Sequence, residues 1–514
     1  MTLSLLHPAA DAPRPVPLRR KGRWAASSAV LAGLLLLGGC AVGPDYATPE
    51  ATGLPAHWHR AAESKSVTTE ALGEWWRDLG DKRLDRLMAD AVEGNLDVAT
   101  AKAKIREARA LRREAIGGLL PSVDGSASAT RLQSTSASTS TGSRVSNLFQ
   151  AGFDASWELD LFGANARSLE AASANVAASE ADLDSTLLTL VGDVASYYTE
   201  ARGYQARIAL ARRTAKSQRE TAALTRTKFE TGSASAVDSS KADAQAASTE
   251  AEIPSLEAAF AQTVHRLSIL TGREPGALAR EMAAGGPIPA PRHRLPTGVP
   301  ADVLTDRPDV RAAERRLAQA TAQVGAKEAA LYPSVSLTGS ISTSATRVGD
   351  LGKASTIAWS WGPSVSVPFF QGGALVAARD AAEASRDQSF VAWKASVLTA
   401  LEDVENALVS LSKERTRARS LSEAAAQYRQ AATLSRVLYQ TGSASFLDVL
   451  DAERSLYTAE DTLLQSRVAI TTDHIALAKA LGGGWRRPVD PTPPLVVDTG
   501  TGPHLRPLPS SSEK

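Results

Sequence analysis

Two aspartates near the carboxyl end of this sequence are the residues best placed to act together. Asp448 and Asp451 are three positions apart in a segment with helical periodicity, which puts both carboxylates on one helix face, one turn apart. Carboxylates that surround a narrow passage favour cations and repel anions. The simpler interpretation is that both charges favour the amino end of their helix through its dipole.

The other residues give little indication of a site for a metal, a nucleotide or a nucleic acid. His57 and His59 are the closest pair among seven histidines, and their spacing is not that of a zinc site, so we expect an exposed loop there. No GxxxxGK[ST] phosphate loop occurs in the sequence. The net charge of +1 in 514 residues argues against a nucleic-acid partner. We therefore predict a protein that is not an enzyme, with no catalytic residues, no metal and no cofactor.

The single cysteine follows a segment that is typical of a bacterial signal peptide. Basic residues at 19–23 precede an apolar stretch at 25–37, which is too short for a permanent membrane helix. The run Leu37-Gly38-Gly39-Cys40 resembles a lipobox, and this resemblance implies that residues 1–39 are removed and that Cys40 carries a covalent lipid. The following residues include no aspartate at the sorting position, which implies the outer membrane. A cleaved signal with an incidental buried cysteine is the alternative.

The elements that position these residues occur twice, about 210 residues apart. TGSAS stands at 231–235 and again at 441–445, and LLPSV at 119–123 returns as LYPSV at 331–335. Repetition at a fixed offset indicates a duplicated architecture. Each half has the same predicted order, which is helix, two strands, one very long helix, a tight turn and another helix.

Four segments alternate apolar and polar residues with the period of two that is typical of β-strands. They lie at 122–132, 149–161, 334–345 and 357–369. Phe153, Trp157, Ile341 and Trp359 share the apolar faces, whereas serines occupy many of the opposite positions. Lengths of about ten to thirteen residues suit tilted strands of an outer-membrane barrel with a watery lumen. A soluble β-sandwich is the alternative.

The number of strands bears on assembly. Polar loops rich in serine and threonine are predicted between the strands of each pair, at 133–147 and 346–356. Four strands cannot close a barrel, because bacterial examples have at least eight, and lipid does not tolerate open strand edges. Two copies would supply about eight strands, whose side chains fill the lumen, and three would supply about twelve. A conducting pore therefore favours a homotrimer.

Very long helices make up most of each repeat. They are predicted at 164–230, 236–270, 374–440 and 446–481. The longer ones would reach roughly 100 Å at 1.5 Å per residue. Their apolar residues recur at spacings of four and three, as in a coiled-coil seam that begins at Leu183 in the first repeat and at Trp393 in the second. Glu414 interrupts the second seam, and Pro254 should bend or break its helix. A long dimeric coiled coil is the alternative, and it leaves the strands unexplained.

The tight turns between these helices are predicted hairpin tips. They occupy 231–235 and 441–445, and Gly232 and Gly442 can end the preceding helices. Asp448 and Asp451 therefore lie at the start of the helix that follows the second tip.

Several stretches resemble one family in the same order. They are CAVGPDY (Cys40–Tyr46), EWWRDLGDKRLDRLM (Glu74–Met88), SWELDLFG (Ser156–Gly163), VPFFQGG (Val367–Gly373) and LYQTGSASFLDVLDAERSLYTAE (Leu438–Glu460). They correspond to the lipidated start, a Trp-Trp segment, two strand-to-helix junctions and the second hairpin tip. By this order, spacing and duplication the chain is identified as a member of the TolC/OprM-type outer-membrane efflux lipoproteins, the outer membrane factor family, in the group often called NodT.

The resemblance implies a mainly α fold with a transmembrane β-barrel. In the family, three chains with four strands each close a 12-stranded barrel above a long periplasmic α-helical barrel. A mixed belt surrounds the helices. The family acts as the exit duct of a tripartite pump, in which an inner-membrane transporter of the RND type supplies energy and a periplasmic adaptor docks at the helical tips. The resemblance thus implies a passive conduit for drugs or other small molecules, anchored by lipid in the outer membrane.

The same resemblance sets the predicted domain boundaries. Residues 1–39 are the signal peptide, and 40–80 form a lipidated periplasmic segment. The first repeat spans 81–273 and the second spans 301–484. Residues 274–300 form a linker in the equatorial belt, and 485–514 form a flexible tail rich in proline, serine and glycine.

Family resemblance also implies the site residues. Asp448 and Asp451 match acidic positions that form rings at the narrow periplasmic end of the pore. Asp238 and Tyr439 match a pair that links neighbouring helices in the closed state, although Tyr439 also continues the seam. A basic position that latches some family members corresponds to Ala444, so the closed state of this chain is expected to differ.

Small residues at the tips are the implied adaptor contacts, because small side chains allow helices to approach closely. They are Gly232, Ser233, Gly442 and Ser443. Turn formation is an equally good explanation for these residues.

Three functions remain open at this point. The first is the efflux duct, the second is a type I secretion exit or a constitutive porin, and the third is a trimeric adhesin-like protein without transport. The acidic tip and the polar strand faces favour a conduit over an adhesin. Drug efflux and protein secretion are not separable from this sequence.

Overall fold

The computed structural model describes residues 41–49, 58, 72–134, 144–293, 295, 307–484, 489–490, 497–498 and 504–505. The predicted signal peptide, Cys40, the pair His57 and His59, and most of the predicted tail lie outside the described residues. The chain divides into two compact units. One contains 119–166, 328–372 and the residues up to 43, and the other contains 44–118, 167–327 and the residues from 373 onward.

The helices show the duplication through their equal lengths. The first repeat contains α1 (Lys82–Gly94), α2 (Leu96–Gly117), α3 (Ala164–Glu230) and α4 (Ala236–Leu270). After the short α5 (Ala279–Met282), the second repeat contains α6 (Pro308–Ala329), α7 (Ala374–Gln440) and α8 (Phe446–Ala480). Helices α2 and α6 have 22 residues each, α3 and α7 have 67, and α4 and α8 have 35. The predicted element order is confirmed, and the predicted bounds of α3, α4 and α7 match.

Four strands form one antiparallel sheet in chain order. They are β1 (Ser122–Ser134), β2 (Arg144–Leu159), β3 (Ser334–Ala345) and β4 (Ile357–Ser366). Pairing of β2 with β3 joins the hairpins of the two repeats, with Trp157 opposite Leu337. Strands β1 and β4 are the edges of this sheet. A separate two-stranded pair, β5 (Val497–Asp498) and β6 (His504–Leu505), lies near the carboxyl end.

The register of the four-stranded sheet separates an apolar face from a polar face. Phe153, Ile341 and Trp359 lie side by side on β2, β3 and β4, and Phe153 and Trp359 are 62% and 70% exposed. The adjacent row, on the other face, sets Asp124 of β1 opposite Asp154 of β2. The predicted alternation is therefore present across neighbouring strands as well as along each strand.

Four strand ends, on three of the four strands, differ from the predicted bounds. Strands β1 and β2 continue into the predicted polar loop, because the pair Ser134 and Arg144 extends the ladder whatever the side chains are. Strand β2 ends at Leu159 because the Asp160 carboxylate accepts bonds from the first amides of α3. Strand β4 ends at Ser366 rather than at residue 369, because its partner strand β3 begins at Ser334, the residue opposite Ser366.

Helix α4 runs through Pro254 without a break, so of the expected bend or break the break is wrong. Proline removes one backbone donor and leaves the carbonyl four residues earlier without its helical partner. Pro254 is exposed, so water can reach this part of the backbone. Packing of the 35-residue helix then outweighs the local cost of the proline.

The predicted seams are mostly buried. Leu187, Val194 and Ala211 are at most 2% exposed on α3, and the second seam is buried at most of its predicted positions. Glu414, the predicted interruption, is 15% exposed and accepts a hydrogen bond from Ser466 of α8 at 2.5 Å. Tyr428 lies three residues after Ala425 and four before Ala432, so the spacing predicts a buried seam position, but the side chain is 42% exposed.

The largest hydrophobic core among the described residues joins the segment that precedes α1 to helices of both repeats. A 3₁₀ helix (Trp75–Leu79) buries Trp75 and Trp76 against α1, α3, α4 and α8. Among the described residues, no helix combines the length and hydropathy that a membrane span requires.

Candidate gate at the helical hairpin tips

The two hairpin tips have the same backbone structure. Gly232 and Gly442 have φ values of 77° and 79°, in the left-handed region that residues with a Cβ avoid. The Ser233 amide donates to the Lys228 carbonyl at 2.7 Å, and the Ser443 amide makes the equivalent bond at 2.8 Å. A Cβ at either glycine would meet nothing within 4 Å. Backbone conformation, rather than crowding, therefore requires glycine at these positions.

A capping box begins the helix after each tip. The Asp448 carboxylate accepts hydrogen bonds from the amide and the hydroxyl of Ser445 at 3.0 and 2.8 Å, and Ser445 Oγ accepts from the Asp448 amide at 3.3 Å. Asp238 and Ser235 form the same box at the start of α4. Asp448 and Asp238 thus each cap the start of their helix, whereas the sequence interpretation considered only the helix dipole for Asp448 and a link to Tyr439 for Asp238.

The structure places Asp448 and Asp451 one turn apart on the exposed surface of α8. Asp451 lines an open groove of about 350 Å³ between α7 and α8, which Tyr428 and Arg454 also line. The buried neighbour of the two aspartates is Val449, which is 0% exposed. It belongs to a small cluster of buried residues, called the tip core below, whose other members are Ala222, Ala242, Tyr439 and Phe446. The side chain of Asp451 is thus available to solvent, and that of Asp448 is partly occupied by its cap.

Tyr439 is buried in the tip core and does not pair with Asp238 in this chain. Its hydroxyl donates to Thr225 Oγ1 of α3 at 3.2 Å, and its ring meets Phe446 with centroids 5.8 Å apart. Tyr439 is 5% exposed. Asp238 is instead bonded within its own capping box.

Lys228 is a tip residue that the sequence interpretation missed. It lies in the last turn of α3, donates a hydrogen bond to the Tyr439 carbonyl, and holds its ammonium 4.3 Å from the centre of the Tyr439 ring. The position corresponding to Lys228 in the second repeat is Leu438. This difference between the repeats, beside the missing basic residue at Ala444, was the available signal in the sequence.

A buried ion pair lies about one to two helical turns from the second tip along α7 and α8. Glu453 of α8 is 7% exposed and pairs with Arg436 of α7 at 2.5 Å. Glu453 also accepts a hydrogen bond from Thr221 of α3 at 3.0 Å, and Arg436 donates to Ser217 of α3. These four residues connect three helices, and hence both hairpins, at one level.

A cavity of about 190 Å³ adjoins this network between α3, α7 and α8. Gln218 lines the cavity and is 2% exposed, and neither its amide nitrogen nor its amide oxygen has a hydrogen-bond partner in the described residues. A buried polar group without a partner costs about 1–3 kcal/mol. Buried polar groups beside Arg436 therefore have fewer hydrogen-bond partners than those at the tip itself.

Two further polar contacts join α8 to the first hairpin. Arg207 of α3 forms a bidentate pair with Asp461, at 2.6 and 3.1 Å. Tyr457 donates to Glu252 of α4 at 2.5 Å, and burial together with this hydrogen bond raises the pKa of Tyr457. The second hairpin is thus attached to the first along α8 as well as at the tip.

Within the part of the chain that the structure describes, no group of three or more histidine, cysteine, aspartate or glutamate side chains is arranged to hold a metal ion. The groups that the structure does bring together are paired charges between helices. Such contacts can hold helices together or release them, and they supply no nucleophile or general base beside a bound substrate.

Known proteins resemble this chain over most of its length. The family model described as outer membrane efflux protein matches residues 87–273 and 299–483. Nodulation protein T of Rhizobium leguminosarum bv. trifolii is 37% identical over 461 residues, which are 88% of this chain and 96% of that protein. The solvent efflux pump outer membrane protein SrpC of Pseudomonas putida is 32% identical and covers 88% of this chain and 97% of that protein.

A solved structure gives the same result for the fold. The outer-membrane channel OprN superposes with a TM-score of 0.82 at 35% identity, covering 87% of this chain and all of that chain. These matches span both repeats, the strands and the hairpins described above. The chain is therefore a member of the outer membrane efflux protein family, whose members are outer-membrane channels and not enzymes.

Proposed function

We propose that three copies of this chain form the exit duct of a tripartite efflux pump. The observation that carries the assembly is the four-stranded sheet, which has one exposed apolar face and two edge strands, β1 and β4. Open edges are not tolerated in lipid, and four strands are too few to close. Three copies would close a 12-stranded transmembrane barrel, with the apolar face toward lipid and Asp124 and Asp154 toward the lumen.

The duct conducts drugs or other small molecules passively, and its partners supply direction and energy. A periplasmic adaptor would dock at the tips, and an inner-membrane transporter of the RND type would power export. Gly232, Ser233, Gly442 and Ser443 are exposed, which leaves them available to an adaptor. Relatives whose names include solvent efflux and cation efflux support small cargo.

The gate lies at the second hairpin tip. Threefold symmetry would bring three copies of Asp448 and Asp451 around one opening, where they would favour cations. Tyr439 holds the tip core shut from inside each chain through its contacts with Lys228 and Thr225. Asp238 would contribute to the gate by capping α4, the corresponding helix of the first hairpin. Movement of either hairpin would therefore change the width of the opening.

A lipid on Cys40 would add to the anchoring of the duct in the outer membrane. The protein is an outer-membrane channel by family, and the lipobox-like sequence before Cys40 supports acylation there. Strands and lipid would then share the attachment, while the helices extend into the periplasm.

Deletion of the gene, with complementation by the wild-type chain, tests the transport role. We expect the deletion strain to become hypersensitive to several small toxic compounds while its secreted proteins remain unchanged. Loss of one exported protein with unchanged drug sensitivity would instead establish a type I secretion exit. Loss of cell adhesion alone would contradict a transport role.

A further inference from the structure

An extended segment near the amino end attaches to helices of both repeats. This segment, residues 44–49, is called the N-terminal strap below. It has no regular secondary structure. Asp45 and Tyr46, two adjacent residues within the strap, contact different helices. Asp45 Oδ1 accepts a hydrogen bond from Arg167 of α3 at 2.6 Å, and the Tyr46 hydroxyl donates to Glu314 of α6.

The position of Arg167 is unusual for a buried positive charge. It lies in the first turn of α3, where the helix dipole disfavours a cation, and its side chain is only 6% exposed. A buried charge is costly unless it is paired. Asp45 and Glu170, the latter at 2.8 Å, supply the two carboxylates that neutralise the guanidinium.

The partner helix is shaped to accept this guanidinium. A Cβ at Gly325 of α6 would lie 2.9 Å from Cδ and Nε of Arg167, so only glycine leaves room for the side chain without a shift. The buried arginine thus lies against Gly325 of α6, and from the strap it is contacted by Asp45, whose own side chain is 90% exposed.

Glu314 forms the second half of the contact. Its side chain is 11% exposed, and one carboxylate oxygen pairs with Arg315 Nε at 2.6 Å. The other oxygen accepts the Tyr46 hydroxyl, and burial together with this bond raises the pKa of Tyr46, which keeps the hydroxyl as a donor. The strap therefore supplies a hydrogen-bond partner to one buried cation, Arg167 on α3, and to one buried anion, Glu314 on α6.

We infer that Arg167, Glu314 and Gly325 form a docking site for the chain's own amino terminus, and that the Asp45-Tyr46 dipeptide is its ligand. The functional consequence rests on the proposed lipid at Cys40. Five residues span at most about 18 Å, so docking of Asp45 limits how far the acyl chains can lie from the first turn of α3. A lipid on a loose linker would hold the protein at the membrane, whereas a docked strap also fixes its depth.

Hydrogen exchange of the full-length wild-type chain and of Asp45→Asn/Tyr46→Phe tests the docking site. We expect amides near Arg167 and near Glu314 to exchange at least about tenfold faster in the double variant. Asp182→Asn is the matched control, because Asp182 pairs with Arg316 between the same two helices at 2.6 Å with both side chains 39–52% exposed. Exchange in the double variant that equals exchange in this control would overturn the inference.

A charge exchange separates specific docking from general stability. Arg167→Asp alone should speed exchange near residue 167, and adding Asp45→Arg should restore most of the protection, since the opposite charges meet again. A double exchange that protects no better than Arg167→Asp alone would contradict the direct contact.

Cys40→Ala distinguishes the docking site from the lipid proposal. If mass spectrometry finds no acyl group on the amino-terminal peptide of the wild type that Cys40→Ala lacks, acylation at Cys40 is wrong, and the exchange data still decide the docking site. If the variant loses lipid but keeps its protection near Arg167, docking is independent of acylation, as the contacts predict.

Discussion

Lys228 and Tyr439, which are 211 residues apart, meet at the hairpin tips. The lysine donates to the tyrosine carbonyl, and its ammonium lies 4.3 Å from the centre of the ring. The ammonium of Lys228 thereby lies near the carboxyl ends of two helices, α3 and α7. A positive charge is favourable at both, because the helix dipole is negative there. The contact joins the first hairpin to the second within a single chain.

Replacement of Lys228 should loosen the tip. We expect Lys228→Met to lower the free energy of unfolding by about 1–2 kcal/mol, because a charged hydrogen bond and a cation–π contact are lost. Urea denaturation measures this change. Lys241→Met, at an exposed position on α4, should change stability by less than about 0.5 kcal/mol. Equal effects of the two substitutions would show that the Tyr439 contact is not stabilising.

Glu453 should contribute more to stability than Glu460, a less buried glutamate that pairs between the same two helices. Glu453→Ala leaves Arg436 beside α3 without its carboxylate, and we expect a loss of about 2–3 kcal/mol, since breaking a buried pair is costly. Glu460 pairs with Arg429, whose side chain is 59% exposed, so Glu460→Ala should cost less than about 1 kcal/mol. Thermal unfolding of both variants compares them, and a larger loss from Glu460→Ala would refute the buried network.

Stability should fall in mild acid because of His474. This side chain is 0% exposed, its ring nitrogens have no hydrogen-bond partner among the described residues, and burial lowers its pKa to about 4. The unfolded chain therefore binds a proton from about pH 6.5 downward while the folded chain does not, so stability decreases between pH 6.5 and 4. The loss is on the order of 3 kcal/mol.

Unfolding free energies across this pH range test the assignment to His474. His474→Leu should flatten the pH dependence, whereas His265→Leu, at an exposed position on α4, should leave it unchanged. A wild-type dependence that persists in His474→Leu would assign the effect to other groups.

Adjacent strand positions should respond oppositely to a charge. Trp359 lies on the apolar face of β4 and Ser360 on the polar face. Trp359→Arg should reduce insertion into lipid vesicles, by about 2–4 kcal/mol if the position is near the bilayer midplane, whereas Ser360→Arg should insert as the wild type does. Folding yield in vesicles measures both, and an equal loss for the two would contradict the proposed orientation of the sheet.

The long helices and their turns were predictable because local signals agree. Periodic apolar residues predicted α3 and α7, and TGSAS predicted both tips, whereas the capping boxes that follow the tips were not predicted. The strand register was predictable in its faces but not at its ends, because the pair Ser134 and Arg144 depends on the partner strand and not on local composition.

The contacts that join the hairpins were not predictable. Lys228 meets Tyr439, and Thr221 meets Glu453, across more than 200 residues of sequence. Spacing within a helix does not reveal such a partner. Tyr428 shows the reverse failure, since it fits the seam pattern but faces solvent in the single chain.

The capping boxes change how the proposed gate is best tested. Asp448→Asn removes the charge and still offers an oxygen to Ser445, whereas alanine would remove the cap as well. Ser445→Ala is the matched control, because it weakens the cap and keeps both carboxylates. Asp448→Asn/Asp451→Asn and Ser445→Ala therefore separate charge from helix capping.

Single-channel conductance of the purified protein in planar bilayers tests the central claim, that these carboxylates form a gate in a duct. We expect small, cation-selective currents from the wild type and from Ser445→Ala, and larger, less selective currents from Asp448→Asn/Asp451→Asn. A wide-open wild type whose currents the aspartate substitutions leave unchanged would contradict the gate and indicate a constitutive porin.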